Sequence, residues 1–331
     1  MRRTIVKCTL LVFLALTVQT TWAQFGSLID KAKKIKKGAD ILTPWTPEKE
    51  AAIGEASAAK LINVFGLYQN QDMVDYLNMV GNTVARQSPR DIHYHFAILD
   101  TEAVDAMGLP GGYVFVTRGL LANITTESQL AGVLGHEIAH VDRRHLEKEV
   151  RAQKTAAFAK EEAAEKIPTA AELINMAGDV VTTALTSQVS RDKAAEADKF
   201  GLDFAAKAGY TPSGLRDILD ILAKATGDAE NKRSLALWQS THPPFSERVA
   251  TLTAMLASYP QTGQLLDDRY TSFVNPESFT QPSAPPNGAG GQGGANGGDT
   301  GELDGIISKG VVVLLGGQLP EGTRVKVRVA Q

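Results

Sequence analysis

His136-Glu137-Ile138-Ala139-His140 constrains this chain more than any other stretch of it. Two histidines at i and i+4 lie on one face of a helix, within reach of a single metal ion. The glutamate stands about 100° round the axis from His136, placed as a general base toward a metal-activated water. Leu130, Val133, Leu134, Ile138 and Val141 recur at helical spacing, and Thr126 with Gln129 matches a capping box at the helix start. The alternative is an amphipathic helix carrying two incidental histidines. The chain has only 6 histidines, and a chance match is on the order of one in a hundred. The motif predicts one zinc ion per chain on His136 and His140, with Glu137 as catalytic base.

Arg2, Arg3 and Lys7 precede an apolar run from Thr9 to Val18, and Thr21-Trp22-Ala23 ends in a small residue. Residues 1–23 thus read as a secretory signal peptide whose core is too short to span a bilayer comfortably; an uncleaved anchor is the competing reading. The only cysteine, Cys8, lies inside this segment, so the mature chain would have neither disulfides nor cysteine-ligated zinc. Cleavage after Ala23 leaves 308 of the 331 residues, enough for one large domain or two small ones. It also removes three cations, moving the formal net charge from −3 to −6. That mildly acidic balance gives no reason to expect nucleic acid. Lys31, Lys33, Lys34, Lys36 and Lys37 form the one basic run, in a segment spanning residues 24–47. It reads as a solvated N-terminus or as a peripheral contact with anionic lipid. No later segment approaches the run of about eighteen apolar residues that a membrane span needs.

Residues 48–275 form the expected main domain. Residues 48–87 read as two helices broken near Gly66. Ile92 to Leu99 alternates, with Ile92, Tyr94, Phe96 and Ile98 on one face and His93, His95 and Ala97 on the other. His93 and His95 are a metal pair on one reading and an exposed strand face on the other. Pro110-Gly111-Gly112 makes a turn, and Tyr113 to Thr117 is a second strand. After the HExxH helix come a charged, alanine-rich helical stretch interrupted at Pro168, a helix from about Arg191 through Ala208, and another from Glu247 to Ala257. The fold class is α+β, mainly helical with a small sheet. Residues 276–304, rich in Pro, Gly, Asn and Gln through most of their length, read as a flexible linker. In residues 305–331, Val311–Leu315 and Val325–Val329 read as a β-hairpin joined through Pro320-Glu321-Gly322.

HExxH supplies two ligands, whereas a catalytic zinc usually takes three from protein plus a water. Several further motifs occur in order: Thr46-Pro47-Glu48-Lys49-Glu50 with Gly54; Leu109-Pro110-Gly111-Gly112-Tyr113-Val114-Phe115-Val116-Thr117-Arg118-Gly119-Leu120-Leu121; His145 behind HExxH; Ser190-Arg191 before Glu196-Ala197-Asp198 and Gly201; and His242-Pro243-Pro244 before Glu247-Arg248. From about Glu48 to Leu256 the chain resembles metallopeptidase family forty-eight, the HtpX-like, BepA-like and LoiP-like proteases, in its periplasmic branch. The resemblance implies a zincin-type metalloprotease domain. It gives Asp198 a catalytic role, second-shell or proton-donating, and gives Arg191 the task of holding its helix.

The resemblance breaks at one position. The family's third ligand is a glutamate four residues before this aspartate, and that position is Ala194 here. Glu196 lies about 200° round the helix from position 194 and would ligate only if the helix rotates; otherwise it is a solvated charge. His242 is the second candidate: prolines stiffen its loop, the resemblance sets that loop near the metal, and three histidines plus water make a competent site. The resemblance also makes Tyr113–Thr117 an edge strand on which an extended substrate lies; a plain core strand is the other reading. It implies a periplasmic endopeptidase acting on unfolded or misassembled envelope proteins. A non-hydrolysing chaperone or assembly factor is the alternative that Ala194 motivates.

Overall fold

Thr46 opens the first helix of the computed structural model. Its side chain accepts a hydrogen bond from Lys49 N, Pro47 occupies the first turn, and α1 runs Pro47–Phe65. The structure describes residues 43–160, 170–186, 191–225, 234–260, 262–274, 279, 305–308 and 311–314. Gly66, at φ 72°, ends α1, and Asn70 caps α2 (Gln71–Ala85), so the pair of helices breaks where the periodicity predicts.

The sheet holds β1 (His95–Leu99), β2 (Ala106–Leu109) and β3 (Tyr113–Thr117) in the order β1-β3-β2. Tyr94, Phe96 and Ile98 are buried while His93 and His95 face out, as the alternation requires. β3 pairs in parallel with β1 and antiparallel with β2. Tyr113–Thr117 is therefore the central strand, and its reading as an edge strand is overturned. Ala106–Leu109, too short and irregular to show a period, turns back through Pro110–Gly112 and covers the second side of β3. The edge passes to β2.

Beyond α3 (Arg118–Leu121) runs α4 (Glu127–Asp142), buried at every residue from Glu127 to Val141. Thr126 Oγ1 accepts from Gln129 N as a cap should; the Gln129 side chain takes the Thr125 N–H instead of closing the box on Thr126. Helices α5 (His145–Lys160), α6 (Ala170–Thr186), α7 (Arg191–Lys207), α8 (Gly214–Ala225), α9 (Ala236–Thr241), α10 (Phe245–Leu256) and α11 (Asp267–Phe273) follow. Gly135 on α4 and Gly201 on α7 meet face to face: a Cβ on Gly135 would lie 2.5 Å from Gly201 O, and one on Gly201 would lie 2.5 Å from His136 N. This contact brings the backbone of α7 against the HExxH helix.

The architecture is α+β, mainly helical with a small three-stranded sheet. Among the described residues no helix is long and apolar enough to cross a membrane. The leader, the basic run and Pro168 lie outside the described residues. Phe279, read as linker, is instead buried against Tyr68, and its carbonyl accepts from Arg118; an aromatic ring finds apolar cover there. Val311–Leu314 (β5) pairs antiparallel with Gly305–Ser308 (β4), a strand not foreseen, and Val325–Val329 lies outside the described residues.

Candidate metal centre

Three histidines from two parts of the fold converge. His136 and His140 stand one turn apart on α4, and His242 follows the last residue of α9, ahead of the two prolines that lead into α10. All three are buried, and one ring nitrogen from each lies within 4.8 Å of the others. His136 Nε2 and His140 Nε2 are 3.1 Å apart.

The other nitrogens of two of these rings are already engaged. Asp198 Oδ1 lies 2.8 Å from His136 Nδ1; a carboxylate only accepts, so His136 donates from Nδ1. Thr241 Oγ1 lies 3.1 Å from Trp238 O and 2.9 Å from His242 Nδ1; with its hydroxyl proton on the carbonyl, the oxygen accepts from His242 Nδ1. In that arrangement the His242 Nε2 lone pair is free, while His136 Nε2 faces His140 Nε2 at 3.1 Å and Arg248 Nη2 at 3.4 Å. Burial pushes the His140 and His242 imidazoles well below the usual histidine range, reinforced by neighbouring cationic and imidazole groups, so both are neutral at pH 7.

Neutral imidazoles are the ligand form, and two nitrogens bound to one tetrahedral zinc at 2.0–2.1 Å stand about 3.3 Å apart. The buried donor set therefore fits zinc, with His136, His140 and His242 as the residues that could hold it.

Burial would raise the Asp198 carboxyl, but the Arg248 guanidinium and His136 outweigh it and hold it below the usual carboxylate range. Arg248 grips both oxygens, Nη2 at 2.6 Å and Nε at 3.1 Å; its Nη1 is buried with no partner among the described residues. Asp198 is thus a group that orients His136.

Burial raises the Glu137 carboxyl, opposed by His136, Arg248 and the Gly108 N–H of β2. Glu137 Oε1 is buried with no partner among the described residues. Gly108 is needed here because a Cβ would lie 2.5 Å from Glu137 O. Glu137, His140, His242 and residues Ala106–Gly108 of β2 line an open cleft together with residues of α5 and α6 and Lys193. Asp105, at the entry to β2, also faces this cleft; burial, then the Glu137 charge, push its carboxyl well up.

Glu196 does not join the three histidines. Its carboxylate, about one-third exposed, contacts Arg143 Nε at 2.6 Å and His145 Nε2 at 3.2 Å. Ala194 is buried one turn before Asp198. Sequence reasoning missed the parts of β2 and Thr241, and it saw His145 and Arg248 only as pieces of a pattern. Ala106–Leu109 carries no local signal, whereas Thr241 beside His242 was a legible side-chain acceptor.

Residues 72–256 match the model of peptidase family M48. Metalloprotease YcaL of Escherichia coli K12 is 30% identical over 165 residues, half of this chain and 63% of that protein. The putative beta-barrel assembly-enhancing protease of Vibrio cholerae is 27% identical over 223 residues, 65% of this chain and 46% of that protein. The mitochondrial metalloendopeptidase OMA1 of Schizosaccharomyces pombe is 26% identical over 198 residues, 60% and 57% of the two chains. The chain spans about half the length of the curated relatives it matches.

Proposed function

This chain belongs to peptidase family M48, and from that membership we propose that it is an exported, zinc-dependent metalloendopeptidase of the periplasm that cleaves unfolded or misassembled envelope proteins. The observation that carries the reading is the buried group of His136, His140 and His242 beside the partnerless Oε1 of Glu137. A chain that only bound peptides would have no use for a buried carboxylate with one bare oxygen at that place, since its desolvation is costly.

His136, His140 and His242 would hold the zinc, which when bound supplies Lewis acidity toward the scissile carbonyl and toward water. Asp198 and Thr241 hold two of the rings in the ligating tautomer. Glu137 takes the proton of the attacking water and gives it to the departing amine; its burial favours proton uptake. The outer edge of β2, which replaces Tyr113–Thr117 in this role, lies along the cleft. It offers main-chain pairing to an extended peptide, a mode that reads backbone more than side chains and suits unfolded segments. The names of the beta-barrel assembly-enhancing relatives support envelope proteins as the substrate class. The basic run of Lys31 to Lys37 would add peripheral contact with anionic lipid.

Ala194 favours a second reading, a non-hydrolysing chaperone or assembly factor on the same fold. Zinc content of the purified protein separates the two. Near-stoichiometric zinc with casein cleavage supports the enzyme, and metal-free protein that suppresses aggregation without cleavage supports the binder.

A further inference from the structure

We propose that Glu196 and His145 are positioning residues that select the tautomer of His140 and so present its Nε2 lone pair to the metal. The proposal rests on His136, His140 and His242 being the metal ligands.

The contacts form an unbroken relay across α7, α5 and α4. Arg143 Nε holds Glu196 Oε1 at 2.6 Å. Glu196 Oε2 lies 3.2 Å from His145 Nε2, His145 Nδ1 lies 3.1 Å from His140 Nδ1, and His140 Nε2 lies 3.1 Å from His136 Nε2. His145 and His140 are buried, and Glu196 closes the relay at the surface.

Two proton arrangements of neutral rings compete along this row of nitrogens, and each leaves one mismatch: facing lone pairs on the two Nε2 atoms in the first, which a metal between them would take up, and a lone pair of His145 against Glu196 in the second. In one, His145 donates from Nε2 to Glu196, accepts at Nδ1 from His140 Nδ1–H, and His140 Nε2 is left bare. In the other every proton is reversed: His145 donates from Nδ1, His140 accepts there and carries its proton on Nε2, pointing it at His136. The second arrangement is self-consistent between the imidazoles but cannot take a metal at His140, and it sets the His145 Nε2 lone pair against a carboxylate. A carboxylate has no proton to offer, so Glu196 decides the direction of the whole relay.

Arg143 strengthens that decision by fixing the carboxylate from its far side, and its own guanidinium rests 4.7 Å over the Phe200 ring of α7. Two carboxylates of α7 thus act on the two HExxH histidines, Asp198 directly and Glu196 through His145. With alanine at position 194, these outer carboxylates bring negative charge toward the three imidazoles.

The test uses the full chain labelled with ¹⁵N-histidine and stripped of metal, with two-bond proton–nitrogen correlation to read which ring nitrogen carries the proton. Zinc affinity is measured in parallel by competition with a fluorescent chelator. Wild type should show His140 protonated on Nδ1. Glu196→Ala, at a partly exposed position that leaves the fold intact, should shift His140 toward Nε2–H and weaken zinc about 10–100-fold, the usual loss for an outer partner of a ligand. His145→Leu should do the same, and His145→Asn should recover most of the affinity, because its amide oxygen replaces Nδ1 as acceptor. Thermal melting of each metal-free variant identifies any that lose affinity through unfolding. Wild type with His140 protonated on Nε2, or Glu196→Ala with unchanged tautomer and affinity, would overturn the proposal alone. Wild type that takes up no zinc would overturn the ligand reading beneath it.

Discussion

Asp198 Oδ1 stands 2.8 Å from His136 Nδ1 and 2.6 Å from Arg248 Nη2, so one buried carboxylate ties α7 and α10 to the first histidine of HExxH. The contact exists because α7 runs against α4 without side chains between them, Gly201 over Gly135.

Gly201→Ala should therefore separate the two helices and draw Asp198 off His136. The added methyl would lie 2.5 Å from His136 N, where backbone must give way. Overpacking of this kind costs about 1–3 kcal/mol. Urea denaturation and zinc content should fall together; unchanged values for both would mean that the helices sit farther apart.

Glu137→Gln should keep fold and zinc while abolishing cleavage of casein, because an amide cannot accept the proton. General-base catalysis contributes roughly 10²–10⁴-fold. Activity within about tenfold of wild type would assign the base to another residue.

His242→Ala should lose zinc, since it leaves His136 and His140 as the only protein ligands. Ala194→Glu in that background should restore it, because position 194 is buried one turn before Asp198 on α7. Metal analysis by mass spectrometry decides; zinc held firmly by His242→Ala would give the third ligand to another group.

Acid should unfold the protein partly through Glu127, far from the metal centre. Burial works to raise this carboxyl, but Arg269, Tyr76 and Tyr210 donate to it and hold it below the usual range. A depressed pKa lends stability that is present above the unfolded value, about 4.3, and is lost as pH falls through the folded one. Tyr210→Phe removes one bond to that charge and should cost about 1.5–3 kcal/mol at neutral pH. Melting curves should show the gap between wild type and Tyr210→Phe narrowing below about pH 4; a gap independent of pH would assign the loss to packing.

Local chemistry was readable wherever one segment carries both pattern and consequence. Thr46 and Thr126 mark helix starts, Gly66 marks a break, Tyr94, Phe96 and Ile98 alternate into the core, and HExxH sets two imidazoles and a carboxylate on one helix. Leu215, Ile218, Leu219 and Leu222 held the same kind of signal for α8, all four buried, and that helix was overlooked. Ala106–Leu109 held none, because four residues around a glycine show no period until a neighbour pairs with them.

The sequence by itself determined the helix that bears the chemistry, the α+β class, and the candidates for a third ligand. Only the tertiary structure decided which strand is the edge, that His242 reaches the HExxH pair while Glu196 stops at His145, and that Asp198 meets Nδ1 of His136. Periodicity and caps act over a turn or two of one segment, so they survive in the order of residues. Ligand convergence and the Asp198 contact join groups roughly sixty to a hundred residues apart, meeting at distances that the packing of α4, α7 and the α9–α10 segment sets.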